Sequence, residues 1–447
     1  MTSFTIRGAT LVTAHGEERA DLVVNDGRIA HRGVTDHVGE VIDATGLYVL
    51  PGMVDTHVHL MDPGPTERED FPTGTNAAAA RGVTTVVEHT HAHPVRSTAD
   101  LDEKRAHLEG RANVDYGLAA HVWPASSSHV GDLAEAGISF FKIFTCDTHG
   151  VPGLDTTQLT SALEAIGQTG VRALIHNEDQ NLTAEAERRL REDRRLDPGV
   201  LTEWRSREAE LVAVASTAAI AFNAGAMAGC AHVSNPAVLD VIDQFRQFGA
   251  GIAAEACPQY FALEETEVLE HGSLRKFTPP ARLRNEEERS AMWRCVADDR
   301  FTFFSTDHAP STLEQKGDGD IWEAPFGLPG LDTTLPFLID AALSGRVTMQ
   351  AVVRLYSTAP AAWYGLPKGT LDVGADADLV LIDPEESWTV EDADIVSKAG
   401  WSPYSGRRFQ GRTVATYLRG EEIARDGSPH DLRTGSFLRP IDPGRRR

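Results

Sequence analysis

Apolar and polar positions follow two rhythms along this chain. From about residue 53 to 310, short β-branched or apolar runs recur at 53–59, 83–88, 116–122, 138–144, 171–176, 227–233, 250–255 and 301–306. Between most of them, apolar residues return every three to four positions, as at 101–109, 157–168, 209–224 and 236–248. The first rhythm predicts strands and the second predicts amphipathic helices. Eight strands alternating with helices fit a (β/α)8 TIM barrel. A doubly wound open sheet is the rival, but it gives no reason for the side-chain placement described below.

The flanks read differently. Residues 4–11 and 20–24 alternate as short strands around a turn at Asn25-Asp26-Gly27. The C-terminal part does the same through Gly369-Thr370-Leu371, the run 377–382 and the run 414–418. The two ends are expected to pair, giving an α/β protein whose barrel carries a small β-sandwich-like domain built from both termini. The expected division is 1–50 and 368–447 for that domain and 51–367 for the barrel. The tail from Gly427 to Arg445-Arg446-Arg447 reads as an extended or mobile arm.

Composition narrows the function. The chain has 447 residues and a formal net charge of −24, which argues against nucleic acid, because phosphate binding needs clustered Lys and Arg. No signal peptide and no apolar run long enough to span a membrane is visible. Cys146, Cys230, Cys257 and Cys295 lie far apart without a CxxC pair, so free thiols in a reducing cytoplasm are expected. There is no P-loop, and no GxGxxG follows a strand.

The chemistry gathers at the ends of the expected strands. In Asp55-Thr56-His57-Val58-His59, the two histidines sit at i and i+2, so a strand points both imidazoles to one side. His176 closes the fifth run, His232 lies near the end of the sixth, and Asp307 follows the eighth. Barrels of this type build their sites at that rim. Lys142, in Phe140-Phe141-Lys142-Ile143-Phe144, is the least expected member. Burial there lowers its pKa and populates a neutral amine. A neutral amine can add carbon dioxide, and the resulting carbamate has two oxygens that can bridge two cations. Four imidazoles, a carbamate and a carboxylate can hold two divalent ions about 3.5–4 Å apart. A donor set of nitrogen and oxygen suits zinc first, then manganese, cobalt or iron. Asp307 is also the candidate proton acceptor for metal-assisted hydrolysis.

These residues resemble the cyclic amidohydrolases of the amidohydrolase superfamily: allantoinases, hydantoinases (dihydropyrimidinases) and dihydroorotases. The likeness runs through Pro51-Gly52-Met53-Val54-Asp55, Phe141-Lys142-Ile143-Phe144, Glu255-Ala256-Cys257-Pro258-Gln259-Tyr260, Thr306-Asp307-His308-Ala309-Pro310 and Gly374-Ala375-Asp376-Ala377-Asp378-Leu379. It implies that His57, His59, carboxylated Lys142, His176, His232 and Asp307 hold two metal ions, with a cyclic amide or ureide as substrate. It also implies self-association as a dimer or tetramer.

Among the subfamilies, allantoinases look closest, through Asp62-Pro63-Gly64 and Ser402-Pro403-Tyr404-Ser405-Gly406. Dihydroorotases usually carry an Arg at the place of Met61, and a thioether cannot replace a guanidinium. Hydantoinases usually have a Tyr where this chain has Asp147, although Gln259 looks more like theirs. After the second strand the family often has Met-Pro-Asn, whereas this chain reads His89-Thr90-His91-Ala92-His93. The resemblance makes His91 and Thr278 candidate substrate contacts, with Gly330 in the loop Phe326-Gly327-Leu328-Pro329-Gly330 as a third. Hydrolysis of allantoin to allantoate is the leading expectation. A hydantoinase-like enzyme or a cyclic imide hydrolase is the alternative, and a metal-free scaffold is disfavoured because all six ligand positions are kept.

Overall fold

The computed structural model describes residues 3–33, 38–124, 127–317 and 320–441. The first five strands, β1 (Phe4–Thr13), β2 (Gly16–Asn25), β3 (Arg28–Gly33), β4 (Glu40–Asp43) and β5 (Tyr48–Pro51), precede the barrel. The barrel strands are β6 (Met53–Val58), β7 (Val83–Glu88), β8 (Asp115–Leu118) with its continuation β9 (Ala120–His121), β10 (Phe141–Phe144), β11 (Ala173–His176), β12 (Ala228–Cys230), β13 (Ile252–Ala256) and β14 (Phe303–Phe304). Four more follow: β15 (Leu379–Thr389), β16 (Arg408–Leu418), β17 (Glu421–Arg425) and β18 (Ser428–Pro429).

All eight expected barrel strands are present and pair in parallel in chain order. Every residue of β6, β7, β10, β11 and β13 is buried, as a sheet covered on both faces requires. β8 and β9 are one strand interrupted at Ala119, whose N–H donates to the Glu88 carbonyl. The ring closes where Val58 bridges His308 and the His59 N–H donates to the His308 carbonyl at 2.7 Å. Helices cover the outside. Thr156–Gly167 is typical: Asp155 and Gln158 form a reciprocal cap, and Leu159, Ala162, Leu163 and Ile166 face the barrel core.

The two ends share one nine-stranded sheet, in which β5 joins β1 to β15. Strands from both halves contribute to one core of Phe4, Ile6, Leu11, Leu22, Leu379, Leu381 and Tyr417, so the sheet curls over its own apolar face. Lys368 fastens this sheet to the barrel. Its ammonium reaches Asp115 at the start of β8 at 2.7 Å, Asp376 at 2.9 Å and Asp378 at 2.8 Å, and its side chain is 2% exposed. Lys368→Met would leave the buried Asp378 carboxylate without a cation, while Asp115 keeps Arg419 and Asp376 keeps Arg28. The expected loss is about 3–5 kcal/mol, read as a lower urea midpoint.

The described part of the C-terminal tail is extended, one of the two states expected of it, and it is docked on the barrel. Tyr116 N–H donates to Ser436, Leu438 N–H to Tyr116 and Ile441 N–H to Gly365, while Phe437 packs on the Tyr116 ring. Backbone groups left open at the edge of β8 are satisfied this way. Residues 442–447, with the terminal arginines, lie outside the described residues. Among the described residues no helix is long and apolar enough to cross a membrane, and the four cysteines are free and buried.

Candidate active site

At the C-terminal mouth of the barrel, His57, His59, Lys142, His176, His232 and Asp307 surround one space, together with His91, Phe144, His149, Phe277, Thr278 and Gly327. The six side chains come from β6, β10, β11 and the residues just beyond β12 and β14. Two of them sit on unusual backbone. His232 has φ +37° and Asp307 φ +51°, a left-handed conformation that costs a non-glycine residue of order 1–3 kcal/mol. The turn it makes at each strand end points the side chain into the mouth.

Hydrogen bonds fix the rings. His57 Nδ1 donates to Glu255 Oε2 at 2.9 Å, and His59 Nδ1 donates to the His89 carbonyl at 3.0 Å. Both rings therefore turn an Nε2 lone pair toward Asp307, whose Oδ1 lies 3.1 Å from His57 Nε2 and 3.5 Å from His59 Nε2. On the far side, His176 Nε2 donates to Glu178 Oε2 at 2.8 Å, leaving Nδ1 2.9 Å from His232 Nε2. Lys142 Nζ stands 3.4 Å from His57 Nε2.

Burial sets the protonation. It holds His57, His59 and His232 well below the usual imidazole range, with the Lys142 cation adding to the effect, and it lowers His176 as well. Burial also pulls the Lys142 ammonium down to about 8, against the opposing charges of Glu255 and Asp307. The Asp307 carboxyl is pushed well up by burial, which Lys142 partly offsets. Neutral imidazoles beside a buried carboxylate and a deprotonatable amine are the donors a divalent cation requires.

The spacings agree. Two nitrogens bound tetrahedrally at about 2.0–2.1 Å lie roughly 3.3 Å apart, and the 2.9–3.5 Å separations above cluster around that value. The space enclosed is about 20 Å³, the scale of one water or ion rather than of an organic ring. A roomier cavity of about 310 Å³ adjoins it, lined by Met61, Arg68, Lys276, Trp322 and Phe326, and sharing His91 and His149 with the inner space. A separate surface cavity of about 770 Å³, lined by Arg172, Tyr364 and Arg439, shares none of these residues.

Glu255 does more than its place in a motif suggested. The same Oε2 that accepts the His57 hydrogen bond also accepts from the His232 N–H at 2.8 Å, so one carboxylate braces candidate ligands from two strands. Burial pushes its pKa up to about 7, with Lys142 opposing. Glu255→Gln keeps the shape but loses the charge that orients His57. Metal binding is expected to weaken roughly 10–100-fold, measured by competition with a chelator.

Thr278 and His91 line the inner space as expected, though the Thr278 hydroxyl is already engaged, donating to Glu178 Oε2 at 2.7 Å. Gly330 does not line it. Its N–H donates to His308 Nδ1 at 3.0 Å, and its carbonyl serves Thr333 and Thr334. Gly327 lines the space instead, at φ +112°, where a Cβ would collide with the Ala309 carbonyl. His149 was missed; it lies just beyond Asp147, whose carboxylate accepts from Gly153 N–H. Cys146, His176 and Glu178 also cluster, but burial pushes the thiol up to about 12, which leaves it a poor ligand.

The Amidohydrolase family pattern matches residues 48–422. The chain belongs to the amidohydrolase family. An allantoinase of Rubrobacter xylanophilus is 33% identical over 444 residues, covering 97% of both chains. A dihydroorotase of Halobacterium salinarum is 33% identical over 405 residues, covering 86% of this chain and 91% of the relative. Among solved structures, the L-hydantoinase (dihydropyrimidinase) of Arthrobacter aurescens superposes with a TM-score of 0.92 at 26% identity, covering 97% of this chain and 99% of that one. The barrel with its β-sandwich domain is this family's architecture.

Proposed function

We propose that this enzyme, a cyclic amidohydrolase acting on a non-peptide C–N bond, opens allantoin to allantoate. The observation that carries the chemistry is the convergence of His57, His59, Lys142, His176, His232 and Asp307 around one ion-sized space. In this reading the six would hold two divalent ions, zinc first, with Lys142 N-carboxylated. Such ions would supply a water of lowered pKa and Lewis-acid polarisation of the ring carbonyl.

The protein's own groups handle the substrate. Asp307 takes the proton from the attacking water and delivers it to the departing ring nitrogen. The ring enters through the outer cavity, where His91 and His149 stand between the two spaces. Met61 stands where the resemblance to dihydroorotases would place an Arg, which removes that guanidinium for a ring carboxylate, although Arg68 and Lys276 line the same cavity. Residues 51–367 are taken as the catalytic barrel, with 1–50 and 368–447 as its companion domain. A cytoplasmic location, supported by four free thiols, and assembly as a dimer or tetramer complete the proposal.

A hydantoinase-like specificity is the second reading, favoured by Gln259 and by the superposition on hydantoinase structures. Parallel assays of allantoin, hydantoin, dihydrouracil and dihydroorotate with the metal-loaded enzyme separate the two. Allantoin should give the highest kcat/KM. A preference for hydantoin or dihydrouracil would select the second reading, and a preference for dihydroorotate would refute the use made of Met61.

A further inference from the structure

His89 follows β7, and the six-ligand assignment gives it no role. Its ring is 1% exposed and packs on both histidines of the His57–His59 pair, with ring centroids 4.6 Å and 4.4 Å away. One ring nitrogen from each of the three residues lies within 4.8 Å of the other two. Among the described residues neither nitrogen of His89 has a hydrogen-bond partner. Its other ring neighbours are Phe140 at 5.5 Å, His121 at 6.1 Å and His91 at 6.3 Å, and none of these is a carboxylate.

The hydrogen bonds of the neighbours sharpen this. His57 and His59 have given their Nδ1 protons to Glu255 and to the His89 carbonyl, so each turns an Nε2 lone pair inward. A neutral His89 beside them brings a third lone pair to the same place. Water has two protons to offer, whereas one cation can accept all three lone pairs.

We infer that His89 is an additional ligand to the ion held by His57 and His59. That ion would then take three imidazoles, Asp307 and the Lys142 carbamate. The inference rests on the two-ion reading above and goes beyond its six residues. It also bears on metal identity. Five protein donors exceed zinc's tetrahedral set, and they match ions that accept five or six ligands, such as manganese, iron(II), cobalt or nickel.

The test compares Mn2+ and Zn2+ binding by wild type, His89→Gln and, as an equally buried control, His121→Gln, each titrated against a competing chelator. In His89→Gln one ion should bind roughly 100-fold more weakly, since even a residue that only orients a ligand is worth 10–100-fold. The other ion should be held as in wild type, and His121→Gln should match wild type at both sites. Should His89→Gln fail to fold, a crystal of the manganese-loaded wild type decides. A His89 nitrogen within bonding distance of an ion upholds the inference, and one well outside bonding distance overturns it. Unchanged binding of both ions by folded His89→Gln overturns it too, as does an equal loss in His121→Gln. Two ions bound without His89 leave the main reading standing, whereas a wild type that takes up no ion removes both.

Discussion

Lys142→Ala should lose hydrolytic activity by on the order of 10⁴–10⁶ in kcat, the scale on which removal of one member of a catalytic unit acts, and metal content should fall below two ions per chain. The reason is the double duty assigned to this side chain. It is buried in an aromatic strand, its Nζ stands 3.4 Å from His57 Nε2, and burial brings its pKa down to about 8, so a neutral amine is accessible to carbon dioxide. Alanine removes the bridge while leaving all four histidines. The measurement is metal analysis of the folded variant beside its kcat, with circular dichroism to show that the barrel is intact. Full activity in Lys142→Ala would mean that the lysine only fills space beside the Phe144 ring, over which its Nζ lies at 5.1 Å.

Asp307→Asn should separate binding from chemistry. The amide is close in size and can still turn an oxygen toward His57 and His59, but it cannot accept a proton. The expected loss is on the order of 10⁴ in kcat with KM changed little, the pattern of an interaction made chiefly in the transition state. Metal content should stay near two ions. A large rise in KM with kcat preserved would assign Asp307 to substrate binding instead. The left-handed backbone at Asp307 predicts something further: Asp307→Ala should fold less favourably than Asp307→Asn, because asparagine tolerates positive φ.

Much of this architecture is legible in the sequence because the barrel repeats one simple instruction eight times. An apolar run of six or seven residues, covered on both faces, needs no partner information to be recognised as a strand. The candidate ligands are legible for a related reason: most of them lie at the ends of those runs, so locating a strand end also locates the candidate site. What the sequence conceals is the support around the ligands. Glu255 reaches His57 across 198 positions, and Glu178 ties His176 to Thr278 across 100 more. No periodicity marks such pairs. The loop 326–330 offers two glycines, and only the folded backbone shows that Gly327 faces the chamber while Gly330 braces His308. The tail is legible only in part: polar and Pro-containing, it reads as extended or mobile, and no side-chain pattern announces that its backbone satisfies Tyr116.

His89 belongs to the same category. Its neighbours in sequence suggest a polar rim loop, and only the folded structure places it against both imidazoles of the His57–His59 pair. The histidine-rich segment that fits the related subfamilies least is therefore where this chain is expected to differ from them in chemistry.

Anomalous diffraction from a crystal of the metal-loaded protein tests the central claim most directly. Two peaks about 3.5–4 Å apart at the barrel mouth, with planar density continuing from Lys142 Nζ between them, is the predicted result. A single peak, or an unmodified Lys142 directed away from that mouth, would contradict it.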